Sequence, residues 1–110
     1  MPTRLADVRR YALSLPEAAE SPQHQMSSSR VRGEILATLP PGGLALHLFV
    51  DETRREAAIA AEPVAFEKLW WRHKVAGLRV VLAQAPRPAV KALLLSAWRH
   101  KAPAKLTDPP

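Results

Sequence analysis

The chain has 110 residues, no cysteine, a mean hydropathy of −0.14 and a formal charge of +6. That length makes one domain with room for a single two-layer core, and the missing cysteine excludes disulfide and thiolate chemistry. The charge is unevenly placed. Residues 1–67 hold seven Lys/Arg against nine Asp/Glu, a balance of −2, whereas residues 68–110 hold nine against Asp108 alone, a balance of +8. Such a field steers polyanions toward a surface without specifying a fold, and a plain solvated basic surface would give the same count. Arg4, Asp7, Arg9 and Arg10 interrupt any apolar N-terminal run, and no apolar stretch is long enough to cross a bilayer. The expectation is a soluble cytoplasmic domain with no membrane partner.

Thr3 to Leu15 has helical spacing at Leu5, Val8, Ala12 and Leu15, with Thr3 placed to cap the first turn and Pro16 to end the helix. "PEAAESPQHQMSSS" lacks periodicity and reads as a loop with some extended character. "SSSRVRGEILATL" folds as a hairpin about Arg32-Gly33, and "PPGG" (Pro40 to Gly43) is a second turn. In "LALHLFV", Leu44, Leu46, Leu48 and Val50 face one way and Ala45, His47 and Phe49 the other. Asp51 to Glu62 is a second helix, with Thr53 and Glu56 at capping-box spacing. "AFEKLWW" fits a helical turn or a strand equally well. "LRVVLAQ" is a short strand introduced by Gly77, and Val90, Leu93, Leu94, Ala97 and Trp98 make the stripe of a last helix closed by Pro103. The predicted order is α-β-β-β-α-β-β-α: a two-layer α+β domain over residues 1–106, an antiparallel sheet of about five strands with helices on one face, and a loose tail at 107–110.

"RRYALSLPEAAES", "RVRGEILATL" and "LLLSAWRHKAPAKL", in this order, resemble the MmcQ/YjbR family of small bacterial proteins over about Arg9 to Leu106. The resemblance implies a cytoplasmic α+β domain of frataxin-like or secretion-chaperone-like fold, a double-wing mode of DNA binding, and no catalytic residues. Two positions depart from the family pattern. Ser29 stands where an aromatic residue is usual, and Glu34 where a lysine follows the hairpin glycine. The second change lowers the charge of that hairpin by two and moves attention to "WWRHKVAGLRV" (Trp70 to Val80).

The nucleic-acid reading makes Arg30, Arg32, Arg72, Lys74 and Arg79 phosphate contacts of two basic loops. Trp70 or Trp71 then stacks on a base or meets a partner, one of the two being buried in the core and the other partly exposed. The competing reading is a protein-interaction or chaperone-like adaptor that receives a peptide or a second copy on a sheet surface including Phe49. Enzyme readings find little. His24, His47, His73 and His100 fall in different elements without metal-ligand spacing, and Ser27 to Ser29 lack a nucleophile-elbow pattern. The chain is therefore expected to be non-enzymatic, without metal or cofactor.

Overall fold

Leu46, Leu48, Leu78 and Val80 are fully buried, while His47 and Arg79 between them are only partly covered. That is the pattern of strands with one packed face and one open face. The computed structural model describes residues 3–23, 26–40 and 44–102. In chain order they form α1 (Leu5–Ser14), β1 (Ala18–Gln23), β2 (Met26–Val31), β3 (Glu34–Leu39), β4 (Ala45–Leu48), α2 (Glu52–Ala61), β5 (Phe66–Trp71) and β6 (Lys74–Val81). A 3-10 turn at Leu82–Gln84 and α3 (Arg87–Lys101) follow. The strands make one antiparallel sheet in the order β1-β2-β3-β4-β6-β5. The expected α+β class holds, with six strands rather than about five. The Pro40–Gly43 turn, His24 and the tail beyond 102 fall wholly or largely outside the described residues.

The additional strand comes from the stretch read as a loop. Residues 18–23 pair in register with 26–31 as an edge strand, where Pro22 removes no ladder bond that a central strand would need. "AFEKLWW" resolves as β5, the opposite edge.

All three helices cover one face. Val8 and Ala12 of α1, and Val90, Leu94, Ala97 and Trp98 of α3, join Val31, Ala37, Leu46, Leu48, Leu78 and Val80 in one apolar cluster, with Ala58 and Ile59 of α2 packed at its margin. Buried polar groups pin the chain to this layer. Thr3 Oγ1 donates to the carbonyl of Ala85 at 2.9 Å, and Trp98 Nε1 donates to that of Pro16 at 2.9 Å. Thr3 thus tethers the N-terminus to the segment before α3 instead of capping α1, where the Arg4 N–H bonds to Asp7. The cap of α2 also differs from expectation. Asp51 accepts from the Arg54 N–H at 2.8 Å, so the helix starts before Thr53, and Glu56 is spent on ion pairs with Arg55 and Lys68.

On the face away from the helices a polar row crosses five strands: Ser28, Thr38, His47, Arg79 and Glu67 are successive cross-strand partners, the first two buried and the others partly or fully exposed. Gly77 lies two residues along β6 from this row. A β-carbon there would sit 2.6 Å from the Leu48 carbonyl oxygen and 3.2 Å from Cδ1 of Phe49, whose ring lies over the glycine. The phenylalanine expected to be available on a sheet surface is therefore half-covered and engaged in packing.

Two outcomes follow from this packing. Gly77→Ala must displace backbone and should lower unfolding stability by about 1–3 kcal/mol in chemical denaturation, whereas an unchanged midpoint would show that β4 and β6 are not held this closely. Burial, and then the Arg79 charge, push the His47 imidazole below its usual value near 6.5. The unfolded chain takes up this proton as pH falls through about 6.5 while the folded chain resists, so stability is complete above that value and declines below it until the folded imidazole protonates too. His47→Asn should flatten that decline in denaturation curves collected across the range. A decline that stays as steep would place its origin elsewhere.

Candidate nucleic-acid interface

In the sheet, β2, β4 and β5 run in one direction and β3 and β6 in the other. The β2–β3 and β5–β6 hairpins consequently turn at the same end. The cross-strand row Ala37–Leu48–Leu78 sets their reach: Glu34 lies three residues from it along β3 and Lys74 four along β6. Three interstrand gaps separate the hairpin centres, about 14 Å at the usual strand spacing. That is comparable to a DNA major groove of about 12 Å.

The β2–β3 turn is Arg32-Gly33, with φ of 48° and 84°. Both central residues are left-handed, as a two-residue type I′ hairpin requires. Arg32 reaches across to Glu17 through two hydrogen bonds of 3.0 Å, and this carboxylate raises the pKa of its guanidinium. Arg30 is also engaged, Nε donating to Ser28 Oγ at 3.1 Å and Nη1 to the Gly33 carbonyl at 3.4 Å. With Glu17 and Glu34 beside Arg30 and Arg32, this tip carries no net charge.

The β5–β6 turn is Arg72-His73, and Arg72 is left-handed with φ of 58°. Its guanidinium lies 5.6 Å from the centroid of the Trp71 ring. Neither Arg72 nor Lys74 has a carboxylate partner among the described residues. The register skips Ala76 opposite Leu69 and Trp70, so the bulge lies on β6 and β5 keeps its alternation. By that alternation Trp70 shares the side of Phe66 and Lys68, and Trp71 the side of Glu67 and Leu69. The two tryptophans are 59% and 67% exposed.

This corrects the expectation that one of them fills the core. The cover of α2 ends near Lys68, which pairs with Glu56 at 3.8 Å, and both indoles lie further out along the edge strand. The tryptophan of the core is Trp98, 5% exposed.

The five cations proposed from sequence thus divide. Arg72 and Lys74 stand together at one tip and Arg30 and Arg32 at its neighbour. Arg79 lies five residues back from Lys74, about 16 Å along the strand, and is bound to Glu67 at 2.6 Å. Sequence reading missed the partners Glu17 and Glu67. Both sit in other strands or loops, and only the sheet register brings them near.

No family model matches the chain, and no curated protein does. Its fold is similar to the crystal structure of the Deinococcus radiodurans protein DR2400, which holds a DUF419 domain, with a TM-score of 0.73 and 22% identity over 89% of this chain and 77% of that one. At that identity the likeness shows the fold alone.

Proposed function

We propose that the chain is an MmcQ/YjbR-type domain that binds DNA with little sequence preference through its β5–β6 tip, with the β2–β3 tip as a weaker second wing. It acts as a cytoplasmic, non-enzymatic binding protein. The observation that carries this reading is the concentration of Trp70, Trp71, Arg72, His73 and Lys74 on one exposed hairpin end, without a carboxylate partner for Arg72 or Lys74 among the described residues. Cations of this kind exchange condensed counterions for phosphates, and exposed indoles offer a face on which any unpaired base stacks.

Fluorescence anisotropy with single-stranded and duplex oligonucleotides at several salt concentrations tests the proposal. Arg72→Ala with Lys74→Ala should weaken binding and reduce the slope of log K against log salt by about 2. Trp71→Ala should cost about 1–3 kcal/mol on single strands. Glu17→Gln, which frees Arg32 and removes a negative charge from the second tip, should strengthen binding. Affinity and salt slope unchanged in the Arg72/Lys74 variant would reject the tip as the contact.

The exposure of both indoles beside half-covered Leu69 also favours a second reading, an adaptor that meets a protein partner or a second copy. Its mark is association that tolerates salt and is lost on replacing Trp70 or Trp71, measured by light scattering.

A further inference from the structure

At the opposite end of α3 from the hairpin tips, α1 and the first turn of α3 border a cleft of about 280 Å3 lined by Asp7, Arg10, Tyr11, Ser14, Arg87 and Lys91. The four α1 positions follow the 7, 10, 11, 14 spacing of one helix face, and Arg87 and Lys91 are one turn apart on α3. Three cations share one carboxylate. Arg87 Nη2 is 3.2 Å from Asp7 Oδ2, Lys91 Nζ lies 5.6 Å from the centroid of the Tyr11 ring, and Arg87 Nε is buried with no acceptor among the described residues. Neither Arg10 nor Lys91 has a carboxylate partner among the described residues.

The helix end sharpens the imbalance. α3 starts here with no side-chain cap among the described residues and no acidic residue in its first turn, so nothing on the helix itself offsets the positive end of its dipole beside Arg87. A group of like charges around an unmet donor is stable only with an anion among them or with water screening it. We propose that the α1–α3 cleft binds a phosphate dianion, either the free ion or a phosphate monoester. Three positive charges less that of Asp7 leave two to neutralise, which matches a dianion better than a carboxylate. The volume suits a small ligand, at the low end of ordinary small-molecule sites. This site is independent of the hairpin tips.

The test is an NMR titration of the 15N-labelled full chain at neutral pH with inorganic phosphate, with glycerol 3-phosphate, and with sodium chloride at matched ionic strength. Phosphate should give saturable shifts at Asp7–Ser14 and Arg87–Lys91 that chloride does not reproduce. Arg10→Gln with Lys91→Gln should lower the affinity by about tenfold or more and leave the rest of the spectrum and DNA anisotropy unchanged. Tighter binding of the monoester identifies an organic phosphate as the ligand, and equal or tighter binding of inorganic phosphate identifies the free ion. Shifts that chloride reproduces, that never saturate, or that persist in the double variant would overturn the proposal.

Discussion

The placement of β4 between β3 and β6 is the constraint on which the arrangement depends. Leu48 is paired on one side with Ala37 and on the other with Leu78, all three buried against the helices. Because only one face of the sheet is covered, a shift of one residue in either pairing would turn leucine to solvent and bring His47 or Arg79 beneath the helices, so the register is strongly held. That register then decides where the hairpins emerge. Both leave the same end of the sheet and extend nearly equally from the Ala37–Leu48–Leu78 row, a geometry imposed by the hydrophobic layer rather than by the tips themselves. The close approach of Gly77 to Leu48, under the ring of Phe49, belongs to the same fit.

Folding also redistributes the charge. The basic surplus after residue 67 is partly met by carboxylates from residues 1–67: Lys68 pairs with Glu56, Arg79 with Glu67 and Arg87 with Asp7. Each such exposed or half-exposed pair contributes little stability, on the order of 0–1 kcal/mol, but each sets a carboxylate against a cation of the surplus. The surplus survives in separate places, the Arg72–Lys74 turn and the α1–α3 cleft among them. A linear count of charges therefore overstates the breadth of the positive surface, while the aromatic and cationic tip keeps the features that a phosphate backbone or an unpaired base would engage.

Elements with a strong period were legible in the sequence. The Val90–Trp98 stripe, the Leu46–His47–Leu48 alternation and the Arg32-Gly33 turn carry their own signals and lie where expected, whereas Leu44, expected on the packed face, is 77% exposed outside β4 and Ala45, expected on the other face, is buried. β1 carries none, because an edge strand of small and polar residues is defined by its pairing with β2 and not by an apolar face. "AFEKLWW" was ambiguous for a related reason. Only its first two residues, Ala65 and Phe66, are buried, so neither helical nor strand period shows. Strand alternation does place the tryptophan pair on opposite sides, but burial also needs a helix above, and how far the helices reach is a tertiary property. The Asp51 cap was missed because Thr53 and Glu56 offered a competing pattern two residues later. Glu17 and Glu67 were out of reach for any local reading, since their roles exist only across the strand ladder.

The three indole Nε1–H signals offer the most direct check of the central claim, that the β5–β6 tip receives the polyanion. Trp98 donates to the Pro16 carbonyl inside the molecule, whereas Trp70 and Trp71 stand at the tip. In an NMR titration with a short single-stranded oligonucleotide, the Trp70 and Trp71 indole resonances should move together with the amides of Arg72 to Lys74 while that of Trp98 stays in place. Binding that leaves both tip indoles unmoved, or that shifts residues only on the helical layer, would contradict the account.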